Sequence, residues 1–392
     1  MYISRLRLQY FRCYQQLTVD LPPGPNLFVG PNASGKTSLL EAVLLLATSK
    51  SPRVIYDREL VQWGRSWGQA AGRFEFDNTS SRTIVVTLQG QGSSSSADEP
   101  PPSYLTGAKC VQIDGQVARS VGEIVGQAPA VLFTPDDLEI VKGPAAVRRR
   151  LLNIAISQIT PRYLADLYRY RRALSQRNEL LKQVAQDKAG GAMLGPWTSQ
   201  LVEAGVRISA DREEFLNRLS PVAAQLHSQL TGGTEQLSIC YSSSLSGAED
   251  DQQREATFRE ELERQFAYEL QRGATQVGPH RDDVEITANG RSLRRYGSQG
   301  QQRTAALSLK LAEAQVIGQR RGELPILLLD DCFSELDNRR ARWLLELLGS
   351  FPQVLVTSAG VTESLREADW ASWYELGEGA VKQAQRGVNG DE

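Results

Sequence analysis

The chain has 392 residues, of which 41% are hydrophobic, so it can bury one large core and a smaller second one. With a formal net charge of -2, the chain cannot attract nucleic acid through its overall charge, so a nucleic-acid partner would have to bind a local basic surface. The four cysteines form no CxxC pair, which argues against a disulfide framework or a zinc site, and no apolar run reaches the roughly 18 to 20 residues of a membrane span. We expect a cytoplasmic protein with no membrane partner.

The first predicted elements are short strands that lead into a glycine-rich loop. Alternating polar and apolar residues predict strands at residues 2–8 and 16–21, and the apolar run 26–29 predicts a buried strand. Residues 37–48 contain no glycine or proline and predict a helix. Strand, loop and helix therefore follow one another directly.

The loop itself fits the pattern GxxxxGK[ST] of a phosphate-binding P-loop. Its glycines allow a sharp turn, so that backbone N–H groups and the helix N-terminus can face a triphosphate. The lysine would reach the β- and γ-phosphates, and the threonine hydroxyl would bind Mg²⁺. A chance glycine loop before a core helix is the alternative, but both flanks match the motif, so we expect ATP or GTP to bind. The residues are Gly30, Pro31, Asn32, Ala33, Ser34, Gly35, Lys36 and Thr37.

Further strands and then helices are predicted downstream. Residues 69–75 and 82–88, and a hairpin at 108–120 with an Asp-Gly turn, predict an antiparallel sheet beside the nucleotide site. Residues 89–103 are rich in Gly, Ser and Pro and predict a solvated loop. A strand is expected at 131–133.

From residue 143 to about residue 230, apolar residues recur at helical spacing, which predicts two or three helices with the first pair antiparallel. We therefore predict an α/β P-loop ATPase head with a mixed sheet and a second, helical lobe. The expected boundaries are 1–145 and 271–392 for the two parts of the head and 146–270 for the lobe.

A second polar motif precedes a long helical run. Ser298, Gln299, Gly300 and Gln301 stand at a predicted helix start, where an anion can bind. One chain does not need two triphosphate-binding sites, so we expect this second motif to contact the γ-phosphate that is bound by the P-loop of a second copy. The segment resembles the signature loop of ATP-binding-cassette ATPases, with Gln299 in place of a second glycine. An unrelated polar helix cap is the alternative.

Four apolar residues followed by Asp330 and Asp331 are typical of a buried parallel strand whose end faces phosphate. The run resembles a Walker B motif. Asp330 would hold Mg²⁺ and Asp331 would polarise the attacking water. Taken alone, the run fits a core strand with ordinary terminal acids equally well, but the P-loop in the same chain favours a Walker B motif. A further strand is predicted at 353–358, where Thr357 or Ser358 takes the place of the switch histidine of transporters.

The order of these motifs, with the P-loop near the N-terminus and the acidic strand near the C-terminus, resembles SMC-type DNA-repair ATPases. The full set of motifs resembles the RecF family of bacterial recombination mediators, with Asn153 where an acid is expected after the arginine run. The segments that carry this resemblance are LQYFRCY at 8–14, the P-loop, 132–150, QRNELL at 176–181, GPHRDD at 278–283, the signature segment and DDCFSELD at 330–337.

The resemblance implies an ATP- and Mg²⁺-dependent homodimer that binds gapped DNA at junctions of single and double strands. It also implies weak DNA-stimulated ATP hydrolysis and cooperation with RecR, and with RecO, in loading RecA during DNA repair, replication restart and the SOS response. By analogy Gln62 would be the metal- and water-sensing glutamine. Two alternatives stay open, a structural protein that uses ATP only to hold a dimer together, with negligible hydrolysis, and the ATPase subunit of a transporter.

Arginine runs are the candidates for a DNA-binding face. They include Arg148, Arg149 and Arg150, and also Arg294 and Arg295. Any one such run is more often a solvated surface than a DNA site. In a head-to-tail dimer, however, a basic patch would be doubled by symmetry, and phosphate contacts would then dominate DNA binding.

Overall fold

The computed structural model describes residues 1–77, 79–92, 100–187, 193–245, 247–248, 250–377 and 380–384. It forms two compact units, one of residues 1–137 with 313–392 and one of residues 138–312. Residues 93–99 of the predicted solvated loop, and the predicted helix interruption at 190–191, lie outside the described residues. In the part of the chain that is described, no helix has the length and apolar character needed to cross a membrane.

The predicted strands and helices occur in order along the chain, together with strands and helices near the C-terminus that were not predicted. The strands are β1 (Tyr2–Phe11), β2 (Tyr14–Asp20), β3 (Gly24–Val29), β4 (Trp67–Glu75), β5 (Ser81–Gln89), β6 (Lys109–Ile113), β7 (Gln116–Val117), β8 (Ala130–Phe133), β9 (Leu237–Ser242), β10 (Asp283–Ala288), β11 (Arg291–Ser292), β12 (Ile326–Asp330), β13 (Gln353–Ser358), β14 (Ser372–Gly377) and β15 (Ala380–Ala384). The helices are α1 (Lys36–Thr48), α2 (Leu138–Lys142), α3 (Ala145–Ile159), α4 (Pro161–Asp187), α5 (Leu194–Thr231), α6 (Asp251–Arg272), α7 (Leu293–Tyr296), α8 (Gln299–Arg321), α9 (Asn338–Leu348) and α10 (Glu363–Glu367).

The first unit contains a mostly parallel sheet of order β15-β14-β3-β13-β12-β8, in which only β15 runs antiparallel to its neighbour. Strands β12 and β13 are buried along their whole length, as expected for strands covered on both faces. Since β3, β12 and β13 are parallel, their carboxyl ends lie at one edge of the sheet. This edge carries the P-loop and the Asp330 carboxylate.

An antiparallel sheet of order β2-β1-β4-β5-β6-β7 completes this unit. Helix α1 is apolar nearly all round and packs against strands of both sheets, which is why almost every residue after its first turn is buried. Its leucines share one core with Ile3, Phe74 and Leu328. The P-loop helix is thereby fixed from both sides.

The second unit is mainly helical. Ion pairs join Arg162 to Asp211 and Arg207 to Asp166, so that residues near the start of α4 lie beside the middle of α5 and these two helices run antiparallel. A small sheet of order β11-β10-β9 belongs to the same unit. Because β10 pairs with β9, residues 271–312 group with the helices and not with the ATPase head, to which the predicted boundary at residue 271 assigns them.

Candidate nucleotide site and signature segment

The P-loop follows β3 and has a backbone that requires glycine at two positions. Gly35 has φ +100°, and a Cβ atom there would lie 2.6 Å from the Tyr14 hydroxyl. A Cβ at Gly30 would lie 2.4 Å from the carbonyl oxygen of Leu376. Both distances are too short for any side chain, so the loop keeps a tight path that leaves its N–H groups at the start of α1.

Lys36 is the first residue of α1 and is buried, with 7% of its surface exposed. Its ammonium donates to the carbonyl oxygens of Gly30, at 2.5 Å, and Pro31, at 2.8 Å. Burial lowers the pKa of Lys36, and the charges of Asp331 and Asp330 oppose that shift. The positive charge is therefore held inside the loop that is predicted to bind phosphate.

Thr37 and Asp330 meet although 293 residues separate them in sequence. The Thr37 hydroxyl donates to Asp330 Oδ2 at 2.8 Å, and the Thr357 hydroxyl at the end of β13 donates to Asp330 Oδ1 at 2.6 Å. A hydroxyl and a carboxylate are the ligands that a P-loop protein offers to Mg²⁺, which takes its other ligands from phosphate and water. The donor set thus fits Mg²⁺.

Asp331 adopts a left-handed backbone conformation, with φ 48°. Its N–H donates to the Thr357 carbonyl at 3.1 Å, and its Oδ1 accepts from the Ala359 N–H at 3.4 Å. The Asp331 carboxylate contacts Ala359, whereas the Asp330 carboxylate contacts Thr37 and Thr357. The two acids therefore have separate contacts, as the predicted division of roles requires.

Gln62 follows a short 3₁₀ turn (Asp57–Leu60), and its N–H donates to the carbonyl oxygen of Tyr10 at 2.7 Å. It lines a cavity of about 630 Å³ together with Arg12, Ser38 and Trp63. Among the described residues, no hydrogen bond joins the Gln62 side chain to Asp330 or Asp331. The predicted sensing role of Gln62 stays a prediction.

The signature segment lies in the second unit, at the start of α8. The Ser298 hydroxyl accepts from the Gln301 N–H at 3.3 Å, and Gln301 Oε1 accepts from the Ser298 N–H at 2.9 Å, which forms a capping box. Ser298, Gln299 and Gly300 are exposed. A Cβ at Gly300 would meet nothing within 4 Å, so this unit itself does not require glycine there.

Arg148 was predicted to bind DNA, and the structure shows that this is wrong. The Arg148 side chain is 4% exposed and forms a bidentate ion pair with Asp283, at 2.6 and 2.9 Å. It also donates to the carbonyl oxygens of Ile140 and Gly143. A guanidinium with its donors used in this way cannot reach a phosphate, so Arg148 stabilises the fold.

The other predicted DNA-binding arginines are more accessible. Arg149 is half-buried and donates to the Asp282 carbonyl at 2.7 Å, whereas Arg150 is exposed. Arg294 and Arg295 are exposed on α7. The predicted DNA-binding side chains that remain accessible lie near the start of α3 and on α7. All of them belong to the second unit.

The GPHRDD segment forms a partly buried turn that leads into β10. The Tyr170 hydroxyl contacts His280 Nδ1 at 2.6 Å, and His280 Nε2 lies 3.0 Å from the Thr275 carbonyl. The Thr275 carbonyl can only accept a hydrogen bond, so Nε2 carries a proton, and in the neutral ring Nδ1 then accepts from the Tyr170 hydroxyl. Burial lowers the pKa of His280 to about 4.

The sheet, the P-loop and the acidic strand end define the ABC-type ATPase fold that was predicted. Comparison with known proteins agrees, since an Smc head domain from Pyrococcus furiosus aligns with a TM-score of 0.54 at 16% identity over 98% of this chain and 96% of that chain, a likeness of fold alone. The model of the AAA domain family matches residues 5–265.

Closer relatives identify the family. The DNA replication and repair protein RecF of Halalkalibacterium halodurans is 38% identical over 97% of this chain and 99% of its own length. A solved structure described as the recombination mediator protein RecF with ATP in the RecFOR pathway aligns with a TM-score of 0.87 and 31% identity over 98% of both chains. The chain belongs to the RecF family.

Proposed function

We propose that this protein binds and hydrolyses ATP with Mg²⁺ at the P-loop. Lys36 would hold the β- and γ-phosphates, with the loop residues from Gly30 to Thr37 around them. Thr37 and Asp330 would hold Mg²⁺, which supplies charge neutralisation to the phosphates. The observation that carries this proposal is the Thr37–Asp330 hydrogen bond, because it brings the hydroxyl and the carboxylate of a metal site together from opposite ends of the chain.

Asp331 would accept the proton of the attacking water and Gln62 would sense the bound metal and water. The signature residues Ser298, Gln299, Gly300 and Gln301 would contact the γ-phosphate bound by a second copy. Two features support this. The Ser298 oxygen accepts a hydrogen bond within the capping box, so the hydroxyl proton is available to a phosphate oxygen of another molecule. The space around Gly300 is open, so a phosphate can approach the start of α8.

We further propose that the ATP-bound homodimer binds gapped DNA at junctions of single and double strands and helps RecR, with RecO, to load RecA in the cytoplasm. Membership of the RecF family supports this, as does the description of its solved relative as a recombination mediator. DNA would stimulate a slow hydrolysis that releases the clamp. Arg150, Arg294 and Arg295, with the half-buried Arg149, are the DNA contacts that we retain.

Analytical sedimentation of the purified full chain with and without ATP·Mg²⁺ and a gapped duplex tests the proposal. The wild type should form a dimer that carries DNA only when ATP is present. Lys36→Ala should fail to bind ATP, whereas Ser298→Ala should bind ATP as a monomer. Ser350→Ala, at an exposed helix end, is the control and should behave as the wild type. A wild type that stays monomeric with ATP bound would overturn the dimer proposal.

A further inference from the structure

Glu235, in the turn between α5 and β9, contacts the signature segment although the motif does not include it. Glu235 Oε1 accepts from Gln301 Nε2 at 2.9 Å. The side chain of Glu235 is 16% exposed, so this hydrogen bond is largely shielded from water. An acid outside the signature segment is thus bound directly to one of its residues.

His227 holds the other oxygen of this carboxylate. It lies on α5 with no exposed surface, and its Nε2 is 3.0 Å from Glu235 Oε2. A carboxylate can only accept, so Nε2 carries the proton. On its opposite side, Nδ1 lies 3.3 Å from the hydroxyl of Ser308, which stands further along α8. His227 therefore ties Glu235 to the body of the same helix that the signature segment begins.

The carboxylate also decides which way the Gln301 amide faces. Gln301 has one acceptor oxygen and one donor NH₂ group, and only the NH₂ group can pair with Glu235. The Gln301 oxygen must then face the N–H of Ser298, as it does at 2.9 Å. With the amide reversed, two oxygens would oppose each other and the Ser298 N–H would lose its partner. Glu235 thereby fixes the capping box.

We propose that Glu235, held by His227, is a positioning residue for the signature segment. It keeps the Ser298 hydroxyl and the Gly300 N–H at the geometry in which they meet a γ-phosphate bound by the partner copy. The inference rests on the proposed function, because it matters only if the signature segment completes a nucleotide site in a dimer. Glu235 itself does not touch nucleotide in this account.

The test measures ATP-dependent dimerisation in Glu235→Ala, with ATP affinity of the monomer and thermal unfolding as parallel readouts. Loss of a hydrogen bond to a charged acceptor should weaken dimerisation about tenfold or more, while ATP affinity stays within about twofold. Glu255→Ala is the matched control, since Glu255 is an exposed acid in the same unit whose ion pair among the described residues is with Arg259, one helical turn away.

A second variant keeps the test informative if Glu235→Ala folds poorly. Gln301→Glu alone places two carboxylates against each other and should also abolish most dimerisation. Combining it with Glu235→Gln exchanges the pair, because the amide at position 235 can donate to the carboxylate at position 301 and still accept from His227. The exchanged pair should regain part of the dimerisation that Gln301→Glu alone loses, although position 301 then carries a negative charge near the phosphate, and independent sites do not show such a coupling.

The outcomes separate this inference from the proposed function. If the wild type does not dimerise with ATP, the dimer proposal fails and the positioning role of Glu235 fails with it. If Ser298→Ala loses dimerisation while Glu235→Ala keeps it, the dimer proposal stands and the positioning role is overturned. A matching loss of monomer ATP affinity in Glu235→Ala, or no restoration in the exchanged pair, would also overturn it.

Discussion

The P-loop region and the signature segment offer a phosphate different chemistry. The first brings together an ammonium, a hydroxyl and two carboxylates from both ends of the chain, through the contacts of Lys36, Thr37 and Asp330. The signature residues are all uncharged, and their hydrogen bonds run within the second unit. The P-loop region thus has the charges that ATP with Mg²⁺ requires, whereas the signature segment offers a phosphate only uncharged hydrogen-bonding groups, in keeping with the proposal that it completes a site in a second copy.

The largest effect should follow from Lys36→Ala. Loss of the one ammonium inside the loop removes charge-assisted contacts to two phosphates and should weaken ATP binding by about a hundredfold or more. Calorimetric titration with ATP·Mg²⁺ measures it, with the exposed Lys142→Ala as a control that should not change. Wild-type ATP affinity in Lys36→Ala would mean that the P-loop is not the nucleotide site.

Asp331→Asn should separate hydrolysis from binding. An amide cannot take the proton of the attacking water, so steady-state hydrolysis should fall by about a hundredfold or more while ATP affinity is kept and the dimer lives longer. Phosphate release and dimer lifetime are the measurements. No change in either would favour the alternative in which ATP only holds the dimer together.

Arg148→Ala should lower stability and have no selective effect on DNA. It removes the ion pair with the partly exposed Asp283 and leaves the carbonyl oxygens of Ile140 and Gly143 without this donor, so the free energy of unfolding should fall by about 2 kcal/mol. Arg150→Ala, two residues along the chain, should change it by less than about 0.5 kcal/mol. Urea denaturation of both variants checks the pair, and equal stability of the two would contradict the buried role.

The neutral His280 predicts a pH dependence of the second unit. The folded pKa of about 4 lies below the unfolded value near 6.5, so the unfolded chain binds more protons between these limits. This contribution is complete above pH 6.5 and is lost as pH falls to 4, by about 3 kcal/mol at most. His280→Gln should flatten unfolding free energies measured over that window, and an unchanged slope would contradict the assignment.

The smallest effect is expected on the affinity for DNA when exposed arginines of the second unit are removed. Substituting Arg294→Ala together with Arg295→Ala should weaken binding of a gapped duplex about tenfold and reduce the salt slope of log affinity by about two, whatever the sequence. Titrations at several salt concentrations measure both quantities. Sequence-dependent losses, or an unaltered slope, would show that these side chains do not contact phosphate.

Local sequence patterns predicted most strands and helices of the first unit, but they did not predict the side-chain contacts that hold the signature segment in place. The P-loop strand and helix, and the acidic end of β12, depend on neighbouring residues and could be read directly. Arg148 could have been placed correctly, because Leu152 and Ala155 follow it at helical spacing and are buried on the same face. Glu235 could not, because no pattern links it to Gln301, 66 residues away.

The most direct test of the account mixes two inactive variants. Lys36→Ala lacks the phosphate-binding lysine and Ser298→Ala lacks the signature hydroxyl, so neither alone should hydrolyse ATP. In a mixed dimer the intact Lys36 of one copy faces the intact Ser298 of the other, so one of the two sites is complete, and because neither variant dimerises with itself an equal mixture should regain up to about half of wild-type ATPase activity. A mixture no more active than its parts would contradict a nucleotide site shared between two copies.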